Sequence, residues 1–151
     1  SVCSNIGDKR GHINLALQSL QEHDAVSKVI SSPLIETEPW GYTDQDIFVN
    51  GMWLCESSLA PHQMLSLLQS LEQGAGRERL IHWGPRTLDL DIILAFDENG
   101  TMISICDESL PVPHPYFWDR TFVLEPFHEL LPTFIYKGMT IGERLTQLSL
   151  S

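Results

Sequence analysis

Apolar residues recur every three or four positions in two stretches of the chain. Ile13, Ala16, Leu17 and Leu20 give one buried stripe and predict an amphipathic helix over residues 12–23, entered by a turn over 4–8 with Asp8 as N-cap. Met64, Leu65, Leu68 and Leu71 give a second, opened by Ala60-Pro61 and closed by Gly74 and Gly76. Other stretches read as strands. Residues 26–37 start apolar, pass a Ser-Ser-Pro interruption and resume at Leu34-Ile35, which predicts a strand bent or at an edge near Pro33. Residues 47–56 alternate, with Phe48, Asn50 and Met52 on one face and Val49, Gly51, Trp53 and Cys55 on the other. Residues 38–46, with Pro39, Trp40 and Gly41, read as a loop, and 1–4 are too short to make a convincing strand by themselves.

The later half alternates less regularly. Residues 87–96 predict a strand with Leu88, Leu90 and Ile92 turned to one side and Asp89 and Asp91 to the other. Asp97-Glu98-Asn99-Gly100 is a hairpin signal, after which 101–106 returns as an outer strand. Pro111-Val112-Pro113-His114-Pro115 is rigid and holds His114 at a fixed reach. Residues 117–131 predict one or two short helical pieces broken at Pro126, 134–136 a short strand, and 140–148 a closing helix buried through Ile141, Leu145 and Leu148. Strand, helix, strand, strand, helix, strand is the order of a split βαβ arrangement. The expected class is α+β, an antiparallel sheet with helices packed on its faces, in one domain over 1–151.

The formal net charge of −11 argues against a nucleic-acid or anionic-membrane surface, both of which need a basic footprint. Cys3, Cys55 and Cys106 are odd in number, lack metal-ligand spacing and read as reduced thiols of an intracellular protein. No apolar run reaches the length of a membrane span and no signal-peptide pattern opens the chain. The cytoplasm is the default compartment; a mitochondrial one would follow from a larger, targeted precursor.

Two carboxylates on one strand face, about 7 Å apart, repel each other unless water or a cation answers them. A solvated face is the bland reading of Asp89 and Asp91. The sharper one is Mg²⁺, which is held by one or two carboxylates and completes its shell with water and substrate phosphates. Arg86 stands just upstream, where a guanidinium could meet the same phosphates. Asn50 on a strand face is either paired to backbone or aimed at a ligand. The loop 74–82, with Arg77, Glu78 and Arg79, is either a solvated charged loop or a lid over phosphates.

The run Trp83-Gly84-Pro85-Arg86-Thr87-Leu88-Asp89-Leu90-Asp91-Ile92-Ile93, with Val112-Pro113-His114-Pro115, Arg120 and Phe122, resembles the signature of the 6-hydroxymethyl-7,8-dihydropterin pyrophosphokinases of folate biosynthesis. The resemblance extends from Ser4-Asn5 to about Pro132. It implies a ferredoxin-like form of the split βαβ fold and transfer of the terminal diphosphate of ATP to a pterin alcohol, with AMP as the other product. It further implies Asp89 and Asp91 as ligands of two Mg²⁺ ions, and Arg86 with Arg77 and Arg79 as catalytic cations. Gln69, Glu72, Arg86, Ile92, His114 and Arg120 would contact ATP. Thr37, Glu38, Pro39, Trp40, Phe48, Asn50, Trp83 and Phe122 would form the pterin pocket. A flat pterin with a guanine-like edge suits two rings, Phe48 and Phe122, and an amide, Asn50. The same two phenylalanines also suit a plain core.

The sequence departs from the pattern in places. Cys3-Ser4-Asn5 stands where Gly-Ser-Asn is usual, the Arg77–Arg79 loop is one residue shorter than a common spacing, and Trp118-Asp119 precedes Arg120 where many relatives carry other polar residues. Two other classes compete with the pyrophosphokinase. A non-catalytic ferredoxin-like ligand-binding module would leave Asp89 and Asp91 dispensable, and an ordinary Mg-dependent kinase would release ADP. Members of the family occur free and fused to neighbouring folate enzymes, so an excised domain is also expected to read this way.

Overall fold

A computed structural model of the chain describes residues 1–38, 47–75 and 88–150. In chain order these form β1 (Val2–Ser4), α1 (Lys9–Glu22), β2 (Val26–Ser31), β3 (Ile35–Thr37), β4 (Phe48–Gly51), β5 (Trp53–Ser57), α2 (Pro61–Gly74) and β6 (Asp89–Leu90). After these come β7 (Ile105–Cys106), β8 (Pro111–Val112), α3 (Thr121–Leu130), β9 (Ile135–Tyr136), β10 (Met139–Thr140) and α4 (Ile141–Ser149).

The fold is α+β. Its main sheet runs in the order β3-β4-β1-β6, every neighbouring pair antiparallel, with Val2 opposite both Gly51 and Leu90. The ladder between β1 and β6 continues for one pair, because Ser1 and Asp91 exchange both backbone bonds at 2.9 and 3.0 Å. Gly51 permits the crowding at the sheet's centre: a Cβ there would lie 2.7 Å from Leu34 Cδ2 and 3.3 Å from Val2 Cγ1.

The two long strands expected over 26–37 and 47–56 are each divided. Pro33 has no N–H to give, so β2 ends before it and β3 begins after it. The opposite strand breaks at Met52, where the Ser32 hydroxyl accepts the Met52 N–H at 2.9 Å and the Met52 carbonyl accepts the Ser32 N–H at 2.9 Å. A side chain thus replaces one rung. Beyond the break, β2 and β5 run on as a two-stranded ribbon.

The helices follow their stripes. The Asp8 side chain accepts the Gly11 N–H at 3.1 Å and starts α1, which buries Ile13, Ala16 and Leu20. In α2, Leu68 and Glu72 are the buried positions. One core holds these helices against the sheet through Val2, Ile13, Leu20, Val49, Leu68, Leu88 and Leu90. A second, aromatic core gathers Met52, Ile93, Phe117, Val123, Leu124, Phe127 and Ile141.

The region after β6 departs most from expectation. Strand pairing over 87–96 is confined, among the described residues, to Asp89–Leu90 with the added Asp91–Ser1 pair and a bridge at Phe96 to Met102. The hairpin between is present: Asp97 Oδ1 accepts the N–H groups of Asn99 and Thr101, and Gly100 takes a φ of +79°. The outer strand then splits, and Ile105–Cys106 pairs instead with Pro111–Val112. The helical stretch breaks at Arg120 and not at Pro126. A short 3-10 turn, Phe117–Asp119, precedes Arg120, and Pro126 lies buried inside α3. Its missing N–H removes one helical bond, while Val123, Leu124 and Phe127 bury the surrounding turns. Within the described residues no helix is long and apolar enough to cross a membrane, and all three cysteines are free thiols.

Candidate active site

Strand alternation is what sorts the central segment. Leu88, Leu90 and Ile92 pack on the first core and Ile93 on the second, so Asp89 and Asp91 leave the sheet on the side opposite the leucines. A cleft of about 260 Å³ opens beside Asp91. Its walls are Leu90, Asp91 and Ile92 from β6 and just beyond, Leu65 of α2, Ser109, Leu110 and Pro111 leading into β8, and the segment His114, Pro115, Tyr116 and Arg120.

Burial pushes the Asp91 carboxyl above its ordinary range, the negative charge of Asp89 pushes the same way, and His114 and Arg120 pull it back. His114 is lowered, first by desolvation, with Asp91 opposing and Arg120 adding to the shift. An acid held among one acid, one imidazole and one guanidinium is a site built to handle charge. His114 is fixed by its backbone N–H to the Ile93 carbonyl at 2.8 Å, and its Nδ1 accepts the Tyr116 N–H at 3.2 Å. That bond puts the ring's proton on Nε2 when the imidazole is neutral. Arg120 lies with its guanidinium carbon 5.5 Å from the Tyr116 ring centre and 5.7 Å from that of Phe122.

Among the described residues no three His, Cys, Asp or Glu side chains converge into a metal cage. The donor set fits a hard cation of another kind: two carboxylates on one strand face, one of them largely desolvated, leaving most of the shell to water and phosphate. Asp89 and Asp91 would hold it.

The second group of expected residues meets on β3 and β4. Asn50 is 1% exposed, and its Nδ2 donates to Thr37 Oγ1 at 2.7 Å while its Oδ1 has no partner. Exchanging the amide's O and N leaves the same deficit, since the Thr37 hydroxyl can serve either half. A buried amide with one half unanswered marks a place for a ligand edge. Phe48 is half-buried one turn of the pleat away, Glu38 is exposed at the end of β3, and α3, bearing Phe122, packs across both strands.

Two positions on α2 separate. Gln69 is exposed and does not line the cleft. Glu72 is 6% exposed and its Oε2 accepts the Leu90 N–H at 2.8 Å, so it braces the strand that carries the aspartates. Pro39, Trp40, Arg77, Arg79, Trp83 and Arg86 lie outside the described residues. Leu65, Leu110 and Tyr116 were not anticipated as site residues. Only Tyr116 left a signal, an exposed aromatic between His114 and Arg120.

A model of the family described as 7,8-dihydro-6-hydroxymethylpterin-pyrophosphokinase matches residues 1–132. The 2-amino-4-hydroxy-6-hydroxymethyldihydropteridine pyrophosphokinase of Methylorubrum extorquens is 39% identical over 145 residues, covering 96% of this chain and 89% of its own. The protein of the same name from Bacillus subtilis is 43% identical over 127 residues, 84% of this chain and 73% of its own. Folic acid synthesis protein fol1 of Schizosaccharomyces pombe is 40% identical over 153 residues, which are 98% of this chain but 20% of that protein. With the carboxylate strand, the charged cleft and the unanswered amide in place, these matches identify the chain as a member of the 7,8-dihydro-6-hydroxymethylpterin-pyrophosphokinase family.

Proposed function

We propose that this chain transfers the diphosphate of ATP to the hydroxymethyl group of 6-hydroxymethyl-7,8-dihydropterin, giving AMP and the pterin diphosphate in folate biosynthesis. The observation that carries the reading is the meeting of Asp91, His114 and Arg120 at one cleft, beside the strand that bears Asp89, in a chain of this family.

The cleft receives ATP. Arg120, stacked on Tyr116, presents its guanidinium to phosphate, His114 offers Nε2–H, and Ile92 with Leu65 supplies apolar wall. The pterin takes the other group: its donor and acceptor edge meets the unanswered half of Asn50, with Thr37, Phe48 and Phe122 around its faces. Bound at Asp89 and Asp91, two Mg²⁺ ions would neutralise charge on the phosphoryl group in transfer. Arg86, Arg77 and Arg79 are assigned to the same phosphates, and Trp83, Pro39, Trp40 and Glu38 to the pterin side. Gln69 and Glu72 are assigned to the nucleotide side, Glu72 through its hold on Leu90. The pterin oxygen attacks the β-phosphorus in line and AMP leaves. Positioning and charge neutralisation supply the rate, and no side chain is assigned as general base.

The finer fold reading is a ferredoxin-like split βαβ. It is supported by the order β3-β4-β1-β6, since β1 and β3 both run antiparallel to the β4 that lies between them. We read 1–151 as one domain, able to stand alone or within a longer folate-synthesis polypeptide. The match to 20% of the fission-yeast protein supports the second possibility.

The test is product analysis with Mg²⁺, ATP and the pterin. AMP with a pterin diphosphate is expected; ADP would make the chain an ordinary kinase, and no turnover by folded protein would leave a binding module.

A further inference from the structure

We propose that Arg144, on the C-terminal helix, is a positioning residue for nucleotide binding, acting through Arg120. The inference rests on the nucleotide reading of the cleft given above.

Arg144 lies beyond residue 132, where the family match ends. Its side chain is 16% exposed and reaches back to the 3-10 turn that leads into Arg120. Nε donates to the Trp118 carbonyl at 2.8 Å, one terminal nitrogen donates to Asp119 Oδ1 at 2.6 Å, and the other donates to Gln147. The guanidinium carbon stands 5.8 Å from the Trp118 ring centre. One side chain therefore holds a backbone carbonyl, a carboxylate and a ring of the two residues immediately before Arg120. A lysine offers a point charge and cannot reproduce that planar fork.

What the turn controls is the exit direction of Arg120. Its backbone N–H donates to the Phe117 carbonyl at 3.2 Å, and its own carbonyl accepts from Val123 and Leu124 at 3.0 Å, so Arg120 is the hinge between turn and helix. The turn is anchored at its other end by Phe117, 1% exposed. Asp119 is its exposed member and Trp118 is half-buried against the rings of Phe117 and Tyr136; Arg144 bonds to both residues. The contact has an electrostatic side as well. In a chain of net charge −11, a cation meant for phosphate must be kept from nearby carboxylates. Asp119 is the neighbour of Arg120 in sequence, and Arg144 occupies it.

A merely structural role for Arg144 would be to dock α4. That task is already served by Ile141, 0% exposed, and by Leu145 and Leu148, which pack against the second core. Removing the guanidinium should leave α4 in place and loosen the approach to Arg120.

The experiment compares wild type, Arg144→Ala, Arg144→Lys, Arg120→Ala and the Arg144→Ala/Arg120→Ala double variant, reading KM for ATP, KM for the pterin, kcat, ATP affinity by calorimetry and thermal melting. Arg144→Ala is expected to raise KM and Kd for ATP about tenfold, with kcat and the pterin KM changed less than about twofold, the pattern of lost uniform binding. Arg144→Lys should fall between, and should carry the comparison if the alanine variant does not fold. In the Arg120→Ala background the Arg144 substitution should add nothing. An equal further loss in that background, or a lowered melting temperature with ATP affinity unchanged, overturns the proposal. Absence of AMP from the wild type would instead overturn the assigned reaction, and calorimetry would still decide the role of Arg144.

Discussion

The two cores of this protein are built from different materials. The first is aliphatic, made by Val2, Ile13, Leu20, Val49, Leu68, Leu88 and Leu90, and every contributor sits on a regular strand or helix or beside one. The second is aromatic, with Phe117, Phe127, Trp118, Phe134 and Tyr136 in edge and stacked contacts, and much of it comes from turns. The charged cleft draws on both. Leu90 and Ile92 reach it from the aliphatic side, while Tyr116 and Arg120 flank Phe117 of the aromatic one. The lesson is a division of labour: the aliphatic core fixes where the carboxylate strand lies, and the aromatic core fixes where the cation and imidazole point. Aromatic rings suit the second task because each spans a long gap with few rotatable bonds.

Substitutions should therefore fall into two phenotypes. The largest effect on chemistry is expected from Asp89→Asn and Asp91→Asn, each lowering AMP formation by about 10³-fold, measured by chromatography under saturating Mg²⁺. Their melting temperatures should hold or rise, because each change removes one of two repelling charges on a strand face. A large fall in melting temperature would mean that the carboxylates serve the fold. Leu20→Ala is the counterpart in the aliphatic core. A 2% exposed leucine of α1 that does not line the cleft should cost about 3 kcal/mol in denaturant unfolding and leave the activity of the folded fraction unchanged. Loss of ATP affinity there would erase the division.

Legibility in the sequence follows the same line. The helical stripes of α1 and α2 and the alternation around Asp89 and Asp91 were readable because one face of each repeats a burial pattern set by geometry alone. Breaks caused by a partner were not. Met52 interrupts its strand because Ser32 across from it offers a hydroxyl in place of a carbonyl, and nothing local to Met52 says so. Pro126 announces a helix break that does not occur, because buried neighbours on both sides hold α3 together, while the actual break at Arg120 has no proline. Glu72 reads as a nucleotide contact by resemblance, and the bond that one of its carboxylate oxygens accepts from the Leu90 N–H is one that no local spacing shows. The hold of Arg144 on Trp118 and Asp119 spans 26 and 25 positions, and no spacing rule reaches that far.

Glu72 links the two regions and gives a smaller, sharper test. Glu72→Ala leaves the Leu90 N–H buried without that acceptor, which should cost about 2 kcal/mol of stability and also weaken ATP binding, since Leu90 and Asp91 line the cleft. Glu72→Gln keeps an oxygen at the same place and should recover most of both. Recovery of stability without recovery of ATP affinity would show that the charge itself reaches the nucleotide.

The smallest effect is expected at the start of α4. The Thr140 hydroxyl accepts the Glu143 N–H at 3.1 Å and the Glu143 carboxylate accepts the Thr140 N–H at 3.0 Å, a reciprocal cap that begins the helix carrying Arg144. Thr140→Ala should cost about 1 kcal/mol, read as a small fall in melting temperature. These bonds lower the Glu143 carboxyl below its ordinary value, led by the Thr140 backbone bond. A folded-state value below the unfolded one means that this contribution is complete above the ordinary carboxylate range and fades as pH falls through the lowered value. Melting curves of wild type and Glu143→Gln should thus converge in acid and separate toward neutrality. If Thr140→Ala also raises KM for ATP, the cap acts on the cleft through Arg144; an unchanged KM confines it to the helix, and the aromatic core alone then holds α4 firmly enough for its guanidinium to keep its place.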